Sequence, residues 1–203
     1  MIFVFDLDDT ICNTDGYSEM YIKCFFKKHN LPYKQIAKTA RFAEEKFDWS
    51  HEEAIKWYKE YGDIMFLYFP IKNNALNVIN QLYDNGHKII ICTARDTNWH
   101  SEPEKLTLLW LQNNGLKYHK IYFGREDKEK VCEMENADVF VDDDIKITSR
   151  VQDFFNSIGH GHAFLSATSY NQTQIIPNNI KVIQNFDEML ENLNIFSTEQ
   201  TSE

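Results

Sequence analysis

Two carboxylates, Asp6 and Asp8, stand one residue apart directly after an apolar run. The run, residues 2–5, is continuous and mostly branched or aromatic, as expected of a strand buried on both faces. Residues two apart on a strand project to the same side, so both carboxylates could point at one site. A solvated acidic turn is the alternative, but a carboxylate beside a buried strand is costly unless it is paired or binds a cation. The spacing therefore predicts a charged site at the end of the first strand.

The elements that would position these residues form an alternating pattern. From about residue 72, apolar runs alternate with segments of helical periodicity, which predicts a parallel sheet with helices on both faces. Right-handed crossovers bring the carboxyl ends of such strands to one edge, where ligands bind. We predict an α/β fold with a three-layer, Rossmann-like parallel sheet. The predicted strands are 2–5, 87–93, 120–124, 137–141, 162–165 and 180–183, and the helices between them are 73–85, 101–115, 127–135, 147–158 and 186–193.

The segment between the first two strands has no strand pattern. Helices are predicted over 17–29, over about 33–47, and from Ser50, which forms a capping box with Glu53. The predicted domains are an α/β core of residues 1–15 and 71–196, a small helical cap of residues 16–70 inserted after strand 1, and a disordered tail of residues 197–203.

Composition narrows the classes of function. The chain has 203 residues, enough for one α/β core with a small insertion. Its formal net charge of -10 argues against a polynucleotide partner, since phosphate backbones are bound by basic patches. No apolar run approaches the roughly 20 residues of a membrane span, and the N-terminus lacks the basic leader of a signal peptide. Four scattered cysteines without a CxxC pair favour reduced thiols, so we expect a cytoplasmic protein.

Further polar residues follow the other predicted strands. Thr93, Ala94 and Arg95 come after the second strand, three acids occupy 142–144 after the fourth, and Lys128 precedes the fourth strand. Several carboxylates in one crevice repel one another unless a cation is present. Oxygen ligands alone indicate a hard metal, and Mg²⁺ fits best because it accepts a few carboxylates and keeps waters. A hydroxyl and an ammonium group are suited to binding a phosphate.

The order of these residues resembles the four motifs of the haloacid dehalogenase superfamily of phosphotransferases. Residues 5–10 (FDLDDT) resemble its first motif, 91–95 (ICTAR) the second, Lys128 the third, and 141–143 (VDD) the fourth. The helical segment 16–70 lies where the family has its C1 cap. The resemblance implies a phosphatase that acts on a small phosphorylated metabolite.

The resemblance also implies roles in the reaction. Asp6 would be the nucleophile that forms an aspartyl-phosphate. Asp8 would be the general acid toward the leaving group and then the general base for water. The phosphoryl group would be held by Thr93, Ala94 and Lys128.

The resemblance implies a metal site as well. Mg²⁺ would bind Asp6, the carbonyl of Asp8 and an acid of the fourth motif. Asp143 is favoured as the direct ligand, with Asp142 as a second ligand or a supporting residue. Lys130 stays open as an alternative for the lysine of the third motif.

Some nearby residues have two interpretations. Arg95 could contact the substrate, or it could form a salt bridge with Asp96 or Asp144. Thr10 is a further candidate for substrate contact. Residues 99–100 could line the substrate pocket or merely form a surface loop.

The substrate is suggested by a closer resemblance, to the C-type 5'(3')-deoxyribonucleotidases and their bacterial relatives. It implies that the substrate is a nucleoside monophosphate. This chain has Asp9 and Thr10 where those enzymes usually have Gly-Val, and Ala94 and Arg95 where they often have Ser-Pro. A phosphosugar phosphatase and a non-catalytic phosphate-binding protein are the alternatives, and a homodimer is left open.

Overall fold

The central element of the fold is a parallel sheet. A computed structural model describes residues 1–97 and 100–194, which form a six-stranded sheet in the order β3-β2-β1-β4-β5-β6, with every pair of neighbours parallel. The predicted α/β class is confirmed. The strands are β1 (Ile2–Phe5), β2 (Lys88–Cys92), β3 (Lys120–Tyr122), β4 (Val139–Asp142), β5 (His162–Ser166) and β6 (Lys181–Ile183).

The strands are mostly apolar because both faces of the sheet are covered. In β1, Phe3 and Phe5 pack into one core cluster and Val4 into a second cluster. The same alternation occurs in β4, where Val139 and Phe140 belong to different clusters. Strands buried in this way have continuous apolar sequences rather than alternating ones.

The helices cover these faces and form the insert. Ser50 caps α3 through the predicted capping box, and Gly115 ends α5 in the left-handed conformation. Among the described residues, no helix is both long enough and apolar enough to cross a membrane. The helices are α1 (Thr14–Lys28), α2 (Ala43–Phe47), α3 (His51–Tyr68), α4 (Ala75–Asp84), α5 (Pro103–Asn114), α6 (Lys128–Glu135), α7 (Ile145–Ile158) and α8 (Phe186–Asn192).

The helix predicted over 33–47 is wrong for most of its length, because only α2 forms there. The preceding residues are irregular and fold back, so that the N–H groups of Ile36 and Ala37 donate to the carbonyl of Lys46 at 2.8 and 3.3 Å. Ile36 is 51% exposed. A short helix is stable mainly when its apolar residues are packed, and the half-exposed Ile36 contributes little packing to the predicted helix.

The insert packs on itself through aromatic rings and also contacts the core. Phe26, Phe47 and Trp49 lie in mutual ring contact. At its base, Cys12 forms a β-bridge with residue 71, and the indole of Trp110 donates to the carbonyl of Phe69 at 2.7 Å. These contacts tie the segment to the sheet, and its separate status as a cap stays a prediction.

Candidate active site

Three carboxylates converge where the strand order reverses. From β1 the chain moves outward to β2 and β3, and then crosses back to β4 on the other side of β1. The amide N–H of Asp6 donates to the carbonyl of Val141 at 2.9 Å, which holds the two strand ends in register. One carboxylate oxygen from each of Asp6, Asp142 and Asp143 lies within 4.8 Å of the others. All three are buried, at the edge where open α/β sheets bind ligands.

Lys128 lies between two of these acids. Its Nζ donates to Asp6 Oδ1 and, at 2.7 Å, to Asp142 Oδ2, and its side chain is 3% exposed. Lys130 is instead exposed and pairs with Asp127 at 3.3 Å. The structure thus places Lys128, and not Lys130, beside Asp6 and Asp142.

The electrostatics of the cluster follow from burial. Burial raises the pKa of Asp6 to about 7, although the Lys128 charge opposes this rise. For the same reason the pKa of Asp142 is raised to about 6 and that of Asp143 to about 7. Burial alone would lower the pKa of Lys128, but the two carboxylates outweigh it and raise this pKa well above its usual value. Three buried carboxylates therefore face one buried ammonium group and the partly exposed guanidinium of Arg41, so the acids outnumber the cations in contact with them.

The donor set fits Mg²⁺. Asp6 Oδ2 is buried and has no hydrogen-bond partner among the described residues, which is costly for a carboxylate oxygen. Asp142 has both oxygens engaged, one by Lys128 and the other by the N–H of Asp144 at 2.8 Å. Asp143 Oδ2 accepts from the phenol of Tyr170. Oxygen ligands that carry an excess of negative charge are those that a hard divalent cation prefers.

Asp8 is held by Arg95. The guanidinium forms a bidentate pair with it, Nε lying 2.8 Å from Oδ2 and Nη2 2.7 Å from Oδ1. The third nitrogen, Nη1, donates to the hydroxyl of Thr107 at 3.0 Å. Burial alone would raise the pKa of Asp8, but the charge and hydrogen bonds of Arg95 outweigh it and lower this pKa. The sequence predicted that Arg95 could form a salt bridge with Asp96 or Asp144. In the structure, Arg95 forms an ion pair with Asp8.

The predicted phosphate-binding residues follow the neighbouring strand. Phe5 lies opposite Ile91, so that Thr93 comes just after the end of β2, beside the β1 loop. Thr93 is 1% exposed; its N–H donates to a carbonyl of β3 at 2.9 Å, and its hydroxyl accepts from the N–H of Arg95 at 3.2 Å. Ala94 is exposed.

The remaining candidates do not line an open site. Thr10 is fully buried, and its hydroxyl has no hydrogen-bond partner among the described residues. Trp99 lies outside the described residues. His100 has a side chain only 6% exposed, and it stacks on Phe66.

Three further residues at the site were not predicted from the sequence. Arg41, in the irregular part of the insert, places Nη2 3.3 Å from Asp143 Oδ2 and pairs with Asp144 through Nη1. Tyr170 donates to Asp143. Lys72 donates to the carbonyl of residue 9 at 2.7 Å and to that of residue 167 at 2.6 Å, joining the loops after β1 and β5. An arginine in a predicted helix and a tyrosine in a loop do not stand out, because their partners are distant in sequence.

Solved structures share the fold of this chain. A haloacid dehalogenase-like family hydrolase, SP0104 of Streptococcus pneumoniae, aligns with a TM-score of 0.59 and 15% identity over 95% of this chain and 97% of its own. The chain has the haloacid dehalogenase-like fold. The same fold occurs in a predicted phosphoglycolate phosphatase from Haemophilus somnus, with a TM-score of 0.64 and 17% identity over 95% of this chain and 97% of its own. It also occurs in a predicted phosphatase from Clostridium acetobutylicum, with a TM-score of 0.63, 15% identity and the same coverage.

Comparisons of sequence are less informative than comparisons of structure. No protein-family model matches the chain. A curated protein of Oceanobacillus iheyensis named "Putative nucleotidase OB0422" is 28% identical over 151 residues, which are 70% of this chain and 77% of that protein. The names of these proteins, a hydrolase, two predicted phosphatases and a "Putative nucleotidase", agree with the enzyme class that the sequence predicted.

Proposed function

We propose that this protein is a Mg²⁺-dependent phosphohydrolase that removes phosphate from a small phosphomonoester. The observation that carries the proposal is the position of Lys128 between Asp6 and Asp142 at the switch point of the sheet. A nucleophilic carboxylate must accept an incoming anion, and a buried ammonium group in contact with it reduces their repulsion. The fold, shared with hydrolases and phosphatases, supports the same class of reaction.

Asp6 is the proposed nucleophile. Its carboxylate attacks phosphorus, the bond between phosphorus and the leaving oxygen breaks, and an aspartyl-phosphate forms. Asp8 gives a proton to the leaving oxygen. It then accepts one from the water that attacks the aspartyl-phosphate, so that phosphate leaves and Asp6 is restored. The pair with Arg95 favours the second role, because it stabilises the ionised form of Asp8.

The residues after β2 and the acids after β4 complete the proposed site. Thr93, Ala94 and Lys128 hold the phosphoryl oxygens. Asp6 and Asp143, with the carbonyl of Asp8, are the proposed ligands of Mg²⁺. Asp142 is a supporting residue rather than a direct ligand, since both of its oxygens are already engaged. When bound, the ion supplies positive charge that stabilises the phosphoryl oxygens in the transition state.

The nucleophile can be tested with one pair of variants. Asp6→Asn should abolish release of phosphate from p-nitrophenyl phosphate in Mg²⁺ while the circular dichroism spectrum stays unchanged. Asp138→Asn is a matched control, since Asp138 is a partly buried acid that accepts from the N–H of Ile2 at the other end of the sheet. The control should keep its activity. Substantial activity in Asp6→Asn would exclude Asp6 as the nucleophile.

For the substrate, we propose a nucleoside or deoxynucleoside monophosphate. The similarity to a protein named as a nucleotidase supports this choice. Residues 16–70 would act as a cap that closes over a small ligand and excludes water and large substrates. The contact between Arg41 and Asp143 supports the role of these residues as a cap, because this contact brings the insert to the acid cluster.

A phosphosugar or another small metabolite phosphate is the second candidate, favoured by the structural neighbour that is named a phosphoglycolate phosphatase. The comparison of kcat/KM for nucleoside monophosphates, sugar phosphates and phosphoglycolate decides between the two. No turnover of any of these, with Mg²⁺ binding intact, would favour a non-catalytic phosphate-binding protein.

A further inference from the structure

Arg95 is fixed in one orientation by groups from separate elements. Its Nε and Nη2 bind Asp8, and its Nη1 binds Thr107 on α5. Thr107 is fully buried and Arg95 is 5% exposed, so water has little access to the guanidinium. A planar guanidinium whose three nitrogens are all bound cannot rotate without losing hydrogen bonds.

The face of the same guanidinium is covered by the insert. The ring of Phe66, on α3, has its centroid 3.6 Å from the guanidinium carbon of Arg95. Phe66 is 6% exposed, and a cation–π contact is strongest when it is desolvated in this way. The imidazole of His100 stacks on the ring of Phe66 as well, with centroids 3.5 Å apart. The position of α3 therefore restricts the plane in which Arg95 can lie.

We propose that Arg95 is a positioning residue that aims Asp8 at the reacting atoms, and that Phe66 couples the position of the insert to this pair. The inference rests on the function proposed above for Asp8. The bidentate pair uses one lone pair on each oxygen of Asp8, and a carboxylate has about four such acceptor sites. The side chain of Asp8 is 36% exposed, so that acceptor sites on its open side can receive a proton from water.

The first test separates the two half-reactions. With p-nitrophenyl phosphate the leaving group needs no proton, so loss of aim should slow only the attack of water on the aspartyl-phosphate. For Arg95→Met, kcat should fall about 100-fold, a typical contribution of a general base, and a burst of p-nitrophenol close to one equivalent per enzyme should precede the slow phase. Arg95→Lys should recover little, because an ammonium group cannot form the bidentate pair. An equal loss in the burst and the steady state would overturn the proposal, since a merely structural defect lowers both.

The second test concerns the insert. Phe66→Leu keeps apolar volume but removes the ring face. It should lower kcat about tenfold and show the same burst, whereas Phe66→Tyr keeps the ring and should have the kcat of wild type. Phe69→Leu is the matched control, because Phe69 is 5% exposed, follows the same helix and contacts the ring of Tyr21 instead. The control should lose stability without gaining a burst. Equal kinetics in the two leucine variants would overturn the role of Phe66.

A third test needs no catalysis and so separates this inference from the proposed function. If Arg95 couples residue 8 to residue 66, the shifts in urea midpoint caused by Asp8→Asn and by Phe66→Leu should not add in the double variant. The two shifts should become additive when Arg95 is replaced by Met. Additivity in the native background would overturn the coupling. A wild-type protein that hydrolyses no phosphomonoester but shows the coupling would overturn the proposed function alone.

Discussion

Arg41, from the irregular part of the insert, reaches Asp143 at the end of β4, with Nη2 3.3 Å from Oδ2. The guanidinium also pairs with Asp144 and lies 5.6 Å from the centroid of the Tyr170 ring. Its partner Asp143 is one of the three acids that form the candidate metal site. A residue of the insert thus supplies positive charge at the place where the proposed cation would bind.

Arg41→Gln should therefore tighten the binding of Mg²⁺. The arginine is partly exposed, so the gain in affinity should be modest, about two- to fivefold. Isothermal titration calorimetry with the substrate-free protein measures it. Arg150→Gln is the matched control, since Arg150 pairs with Glu129 on the surface at 3.6 Å. Equal affinities in the two variants would show that Arg41 does not compete with the ion.

Lys128→Met should destabilise the protein, because it leaves Asp6 and Asp142 buried without their cation. Breaking a buried ion pair in this way costs about 3 kcal/mol or more in the free energy of unfolding. Lys130→Met changes an exposed residue of the same helix and should alter this free energy by less than about 0.5 kcal/mol. Urea denaturation of the two variants measures the difference, and similar midpoints would contradict the assignment of Lys128.

Asp9 has a backbone φ of 56°, in the left-handed region that non-glycine residues rarely adopt. Its Oδ1 accepts from the N–H groups of Thr14 and Asp15 at 2.9 and 2.7 Å, which satisfies the first turn of α1. Asp9→Asn should change stability little, because Asn keeps the acceptor and tolerates this φ. Asp9→Gly should cost about 1 kcal/mol through the lost hydrogen bonds, and Asp9→Ala about 2 kcal/mol because strain is added. Thermal unfolding of the series tests this order, and a glycine variant more stable than wild type would contradict it.

His100 should make the protein less stable in mild acid. Burial, together with the charge of Arg95, lowers the pKa of His100 from 6.5 to about 4. Below pH 6.5 the unfolded chain binds a proton that the folded protein does not bind. The free energy of unfolding therefore falls as the pH falls from 6.5 toward 4. The advantage of wild type over His100→Gln in the free energy of unfolding should shrink by about 2 kcal/mol between pH 7 and pH 5. Urea denaturation at both pH values measures it. A constant difference would contradict a neutral, buried imidazole.

Sequence patterns predicted the fold class and most of the acid cluster. A strand buried on both faces must be continuously apolar, so β1 and β4 are visible without a structure, and the acids that follow them are visible too. Parallel topology then requires these strand ends to share an edge, which placed Asp6 near Asp142.

Tertiary structure alone decided the partners of the charged groups. Arg95 and Asp8 are 87 residues apart in the chain, and no local pattern relates them. Lys128 and Lys130 are equivalent by position in sequence, but only Lys128 faces the buried acids, because the helix turns Lys130 toward solvent. The insert resisted prediction for a similar reason. Residues 33–42 would form a helix only if other elements provided a surface for it to pack against. In the structure these residues are irregular, and they bring Arg41 to the acids.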